Sequence, residues 1–336
     1  MIKKIPFALF LLLHLFANFY ITAKASDDSA FTEALALVEG RNYVQAAQRL
    51  ESLLQKPAEL SGLEKEAIYH VLAYCYESQN QWAKAAESYQ KAISPTYNLA
   101  DYAVYHLAGL YQKMDDPQNA IIWYQRLIDQ HPQSFHLAEA KYEIAKAHQS
   151  QGNYTRSLDY LSGLIADKKS GYVRQATFDS ARAYEGLQNW KEAQLTYQRL
   201  IDADASDDIA RSALARVQSL TQAHRELTIT RDQRMSHGMV LYRQGKMEDA
   251  RAKFQAVAKG YKDALAGQAT YHIGLSYYRQ RQYDLAILEF NQVVSLYPQS
   301  GYLMRALYQI TLCYRRKGEP DIAQKRLKDF AAAAII

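Results

Sequence analysis

Residues 271–298 run YHIGLSYYRQRQYDLAILEFNQVVSLYP, and the spacing of small and large side chains in this stretch is that of a helix hairpin. Gly274 is small and Tyr277, three positions on, is large. A turn aromatic, Tyr283, stands three residues before the small Ala286, Phe290 follows four residues after it, and Pro298 closes the segment. Steps of three and four keep side chains on one face of an α-helix. Two such helices approach closely when the rings of one fill the space left by the small residues of the other.

The same spacing recurs along the chain. Taking the small residue after the turn as an anchor gives Ala46, Ala85, Ala120, Ser157, Ala193, Ala250, Ala286 and Ala323, at intervals of 39, 35, 37, 36, 57, 36 and 37. Twelve residues before each anchor stand Ala34, Ala73, Ala108, Ala145, Ala181, Gly238, Gly274 and, as the exception, Thr311. Four residues after it stand Leu50, Tyr89, Tyr124, Leu161, Tyr197, Phe254, Phe290 and Leu327. A period near 36 with one hairpin per period predicts stacked repeats. The composition agrees, because 14 Gly and 7 Pro against 27 Tyr in 336 residues leave little material for loops. An apolar share of 49% excludes a disordered tail, and two cysteines exclude a disulfide-built mini-domain.

This pattern resembles the tetratricopeptide repeat over roughly residues 27–336, best in the copies from Tyr105 to Pro132 and from Tyr271 to Pro298. The resemblance implies an all-α, right-handed superhelical solenoid of about eight helix-turn-helix repeats. The 57-residue interval exceeds its neighbours by about 20, enough for one further helix. Asp207-Asp208 would cap that helix, and Ile209, Ala213, Val217, Leu220 and Ala223 supply its apolar stripe. The expected organisation is a five-repeat array over 26–205, an extra helix or linker over 206–230, and a three-repeat array over 231–336.

Ahead of the repeats, Lys3 and Lys4 precede an apolar run from Phe7 to Phe16, and Ala23-Lys24-Ala25 offers a cleavage site. Residues 1–25 therefore read as a secretory signal peptide, too short in apolar length for a membrane anchor. Without them the net charge falls from +5 to +2, which removes the main support for nucleic-acid binding. The charge is uneven. Residues 26–230 carry a net −6 and 231–336 a net +8, with Arg243, Arg279, Arg281, Arg305, Arg315, Arg316 and Lys317 in the basic part.

A narrower resemblance lies in His131-Pro132-Gln133-Ser134 and Tyr297-Pro298-Gln299-Ser300, each followed by Ala-x-Tyr (Ala140/Tyr142 and Ala306/Tyr308). These junctions resemble periplasmic tetratricopeptide proteins of Gram-negative bacteria, namely the Tol-Pal-associated coordinator family and the lipoprotein of the outer-membrane assembly machine. That likeness implies a periplasmic scaffold for protein or peptide partners in the cell envelope. The chain departs from the lipoprotein in having Ser26 where a lipobox needs cysteine, and from the coordinator in lacking an N-terminal coiled coil.

In the tetratricopeptide family one face of each first helix lines a concave groove. The matching positions here give Tyr105, Tyr142, Phe178, Arg182, Met235, Tyr242, Tyr271, Tyr278, Tyr308 and Arg315 as candidate partner-binding residues. An aromatic ladder there would hold a peptide by its apolar side chains. The alternative is that the rings only pack between neighbouring helices. Tyr105 with Gly109 and Tyr142 with Lys146 stand where some members use Lys and Asn to clamp a C-terminal carboxylate, so that ligand is disfavoured.

Catalytic signals are poor. Ser88-Tyr89-Gln90-Lys91 has a serine–lysine spacing without its companion motifs, and His131 and His136 lack a nearby carboxylate or thiol set for zinc. No catalytic residue, metal or cofactor is expected, and an enzyme or a cell-wall glycan binder using the basic repeats is the alternative. Cys75 and Cys313, six repeats apart, read as small buried fillers. The apolar end Ala331–Ile336 beside a basic surface suggests docking onto a partner or a second copy, the alternative being that the alanines complete the final helix against its own hairpin.

Overall fold

A computed structural model describes residues 28–55, 60 and 62–333, and among these all regular structure is helical. Residues 1–25, which the sequence reading expects to be a signal peptide, and Ala334, Ile335 and Ile336 of the apolar end lie outside the described residues. In chain order the helices are α1 (Asp28–Glu39), α2 (Tyr43–Leu54), α3 (Gly62–Ser78), α4 (Trp82–Ala92), α5 (Ala100–Lys113), α6 (Pro117–Gln130), α7 (Leu137–Ser150), α8 (Tyr154–Ala166), α9 (Val173–Gly186), α10 (Trp190–Ala203), α11 (Asp208–Ala223), α12 (Arg231–Arg243), α13 (Met247–Ala258), α14 (Ala264–Arg279), α15 (Tyr283–Leu296), α16 (Leu303–Lys317) and α17 (Pro320–Ala333). They form eight successive helix pairs with α11 standing alone between the fifth and sixth.

The spacing that predicts the hairpins is the spacing of the core. The first seven anchors are fully buried and Ala323 nearly so. Leu50, Tyr89, Tyr124, Leu161, Tyr197, Phe254 and Phe290, four residues later, are also buried to within 2%. In the sixth and seventh hairpins glycine at the small position is sterically required. A Cβ on Gly238 would lie 2.5 Å from Cε1 of Phe254, and one on Gly274 would lie 2.6 Å from Cε1 of Phe290. Cys75 and Cys313 are free and buried, as expected, and burial pushes each thiol up to about 12.

Each pair turns in the same way. Five residues before every anchor the backbone is left-handed, at Arg41, Asn80, Asp115, Gly152, Gln188, Gly245, Arg281 and Gly318. The next N–H then donates to the carbonyl five residues back, as in Gln81→Tyr76 (2.9 Å), Asn153→His148 (2.8 Å) and Gln282→Tyr277 (3.0 Å). This closure satisfies carbonyls that the helix end would leave orphaned.

The extra helix is the first half of a repeat. Asp207 caps α11 by accepting from the Ala210 N–H, and Arg174 donates to both Asp207 oxygens (2.6 and 2.8 Å). Asp263 caps α14 in the same way and pairs with Arg231, which stands 19 residues before its anchor just as Arg174 does. The chain thus begins a repeat at α11 and restarts at α12 without a second helix. Ala210, Ala213, Leu214, Val217 and Leu220 form the buried stripe of α11, whereas Ala223 is exposed, contrary to the sequence expectation.

The chain forms two compact units. One holds the described residues up to Tyr160 with Lys169–Tyr172, and the other holds Leu161–Lys168 and the described residues from Val173. The division therefore falls at 160–173, and the 206–230 segment, where the sequence suggests a divide, sits inside the second unit. Its helix is packed on α9, α10 and α12, and the Arg174–Asp207 pair fastens it there.

Candidate functional site

Positions 18, 15, 14, 11, 8 and 7 residues before the anchor share one side of the first helix of each hairpin. In the first unit this side forms a groove of about 490 Å³ lined by Glu77, Tyr105, His106, Gly109, Lys113 and Lys146 among others. Its charges are spent on one another. Glu77 accepts from Lys113 (2.7 Å) and from the hydroxyl of buried Tyr89 (3.1 Å), and lies 3.4 Å from Nδ1 of His106. Burial opposes the Glu77 charge, but His106 and Lys113 outweigh it and hold the carboxyl down at about 2. Glu143 accepts from Lys146 (3.0 Å) and Gln112 (2.9 Å), and Gln112 in turn accepts from Tyr124 (3.2 Å).

The corresponding side of the sixth to eighth hairpins, in the second unit, is built differently. Eight residues before the anchor stand Tyr242, Tyr278 and Arg315, and seven before stand Arg243, Arg279 and Arg316. Arg279 lies over the Tyr242 ring at 4.9 Å and donates to the Tyr242 carbonyl (2.9 Å). Arg305, eighteen before its anchor, lies 5.3 Å over the Tyr302 ring. All five arginines are exposed, and among the described residues none forms an ion pair with a carboxylate. His272 in their midst is held down at about 4, by burial first and then by Arg305 and Arg243.

The predicted residues separate into two groups. Fifteen before the anchor, the ring is covered by a residue from the next junction. His136 stacks on Tyr105 (4.1 Å, 12°), Tyr172 lies 5.0 Å from Tyr142, and Tyr302 lies 5.1 Å from Tyr271. Met235 and Tyr271 are only 5% and 7% exposed, and Phe178 packs 5.2 Å from Tyr197. In this column Met235 and Tyr271 are packing residues and form joints between repeats, whereas Tyr105, Tyr142 and Phe178 touch neighbouring rings yet stay half-exposed, and Tyr308 is 47% exposed. Tyr242, Tyr278 and Arg315 keep exposed or half-exposed surface, as does Arg182, which pairs with Asp179 at 3.4 Å. The arginine column at Arg243, Arg279 and Arg316 is legible in the sequence only once the basic residues are sorted by repeat position.

No group of three or more His, Cys, Asp or Glu among the described residues has metal-holding geometry, and no described helix is long and apolar enough to cross a membrane.

Stacked helix pairs with an open inner side define an α-solenoid repeat protein. Tetratricopeptide-repeat family models match residues 31–98, 142–208 and 235–301, and a second such model matches 102–134. The chain belongs to the tetratricopeptide repeat family. Among solved structures it is similar to the C-terminal part of a tetratricopeptide repeat-containing protein from Cytophaga hutchinsonii (16% identity, TM-score 0.49, covering 82% of this chain and 99% of that one). It is also similar to a tetratricopeptide repeat protein from Parabacteroides merdae (15% identity, TM-score 0.40, covering 73% and 98%). No curated protein sequence matches the chain.

Proposed function

We propose that this chain is a non-catalytic scaffold, exported to the periplasm, that gathers protein partners in building or dividing the cell envelope. The observation that carries the scaffold reading is the repeated inner side with its open groove, since a solenoid of this family works by presenting such a surface. Lys3, Lys4, the apolar run after Phe7 and Ala25 support export, and the Pro-Gln-Ser junctions support the envelope setting.

Two measurements test this. The N-terminus of the chain recovered from osmotic-shock fluid should begin at Ser26, and an uncleaved cytoplasmic chain would end the export reading. Photocrosslinkers placed at Gly109 and Tyr278 should capture discrete envelope proteins in intact cells. Capture of nothing from either site, with the fold intact by circular dichroism, would end the scaffold reading.

A further inference from the structure

The sixth to eighth hairpins carry five exposed arginines on their inner side, at Arg243, Arg279, Arg305, Arg315 and Arg316, against one carboxylate, Asp232. An arginine without a carboxylate partner keeps its planar fork of donors available. Here two of the forks are restrained rather than loose, because Arg279 is pinned by the ring and carbonyl of Tyr242 and Arg305 by the ring of Tyr302. Restraint lowers the entropy lost when an anion is bound. Both charged groups that bear on His272 are cations, Arg305 and Arg243, and of these Arg243 also acts on the Asp204 carboxylate.

Eleven residues before each anchor the same hairpins place Met239, Leu275 and Leu312, all partly exposed. The inner side is therefore an apolar strip beside a column of arginines. Hairpins two to four place Tyr74, Gly109 and Lys146 at that position and pair their lysines with glutamates, so neither feature is general to the fold.

We propose that this surface binds a protein segment in which acidic side chains recur about every third residue with aliphatic ones between them, the carboxylates forking onto Arg243, Arg279 and Arg316 and the aliphatic groups lying on Met239, Leu275 and Leu312. The inference rests on the scaffold reading and names its partner chemistry. Helices α12 and α14 touch. At about 8–10 Å between packed helices, one arginine per repeat meets about every third residue of an extended chain. The apolar strip selects a peptide over a sulfated glycan, which has no aliphatic side chains to lay there.

The test uses the chain from Ser26 onward and a fluorescein-labelled dodecapeptide of Glu and Leu, followed by anisotropy. The triple variant R243Q/R279Q/R316Q should weaken binding by about tenfold or more, and R243K/R279K/R316K, which keeps the charge without the fork, by less. Replacing Glu by Gln, or Leu by Ser, in the peptide should each weaken binding, and K113Q/K146Q in the first unit should not. Equal binding by the triple glutamine variant, or equal loss in K113Q/K146Q, overturns the proposal. So does a sulfated octasaccharide that binds through the arginines while the Glu/Leu peptide does not, and that result assigns the surface to a polyanionic glycan. If crosslinking from Gly109 and Tyr278 still captures the same partners in the triple variant, the acidic-segment inference falls and the scaffold stands.

Discussion

The second and third hairpins and the sixth and seventh solve one packing problem in two ways, and the solution chosen in the core sets the charge of the groove. In the second and third, alanine faces tyrosine (Ala73 with Tyr89, Ala108 with Tyr124), and the buried tyrosine needs an acceptor for its hydroxyl. Glu77 and Gln112, eight residues before the anchor, provide it, so that position must be acidic or amide. The fifth hairpin repeats the device, with Tyr197 donating to Glu185 at 2.7 Å. In the sixth and seventh, glycine faces phenylalanine, no hydroxyl is buried, and the position eight before the anchor is released to Tyr242 and Tyr278. With no carboxylate there, Arg279 rests on the Tyr242 ring and its main-chain oxygen, and the groove is basic.

The largest expected effect separates packing rings from groove rings. Tyr271→Ala should cost about 3 kcal/mol, because it empties a site packed by Phe290 and Tyr302. Tyr278→Ala should cost under about 1 kcal/mol, since the ring is partly exposed. Urea unfolding of the two variants decides this. Equal costs would mean that the two columns do not divide into joint and surface.

Gly274→Ala tests the glycine–phenylalanine solution itself and should cost about 1–3 kcal/mol, because the new Cβ meets the Phe290 ring at 2.6 Å and the core cannot yield cheaply. Adding Phe290→Leu should recover part of that loss, since alanine with leucine is the pairing already used by Ala34 with Leu50. Costs that simply add in the double variant would show that ring and glycine do not depend on each other.

Acid should expose the electrostatic half of the comparison. His70 in the first unit is held down at about 3, by burial first, then His106, with Glu77 opposing. In the second unit His272 and His237 are held at about 4, again by burial first. Unfolded, each titrates near 6.5. Between those values the unfolded chain binds more protons, so stability is full above pH 6.5 and falls as pH drops toward 4. Each group contributes at most about 1.4 kcal/mol per pH unit in that window. His272→Gln should flatten the slope, and about 0.5 M salt should shrink its share by screening Arg305 and Arg243. The share removed by His70→Gln should be less sensitive to salt, and an equal salt response would argue against an arginine-dominated second groove.

The hairpins, their number and the extra helix are legible in the sequence because volume complementarity between Ala or Gly and Tyr, Phe or Leu repeats at fixed helical steps. The cap at Asp207 follows from side-chain chemistry, and so does the burial of Cys75 and Cys313. The fate of the candidate ladder is not legible in this way. What covers Tyr105 is His136, 31 residues on in the next junction, and what covers Tyr271 is Tyr302. A periodicity read within one helix does not contain that contact, although an aromatic or histidine at the junction is its trace. The groove charge was visible only as a total. Its cause, a tyrosine hydroxyl present or absent beneath the groove, needs the partner of each hydroxyl to be known.

Removing that hydroxyl is the direct test of cause. Tyr89→Phe should cost about 0.5–1.5 kcal/mol and leave Glu77 to Lys113 and His106 alone. Once the hydroxyl is gone, Glu77→Gln should be no costlier than in the wild type, and a double-mutant cycle measures the coupling. A coupling near zero would cut the link between core and groove.

The smallest effect lies in what the two regions share. All eight turns need a left-handed residue five before the anchor, and five of them place a side chain there, Gln188 at φ 58° among them. A Cβ in this conformation crowds the carbonyl oxygen and costs about 1 kcal/mol, a strain glycine does not feel. Glycine also gives the unfolded chain more freedom, which offsets part of the gain. Gln188→Gly should therefore raise stability by only about half a kcal/mol, and Arg41→Gly and Arg281→Gly should follow it in sign. Gly152→Ala should lower stability, because it places a Cβ at φ 74° with no contact within 4 Å to repay it. The same sign in turns of both units would show that their differences lie in the hairpin interior and its inner side. A stabilising Gly152→Ala would show instead that the turns, too, are specialised.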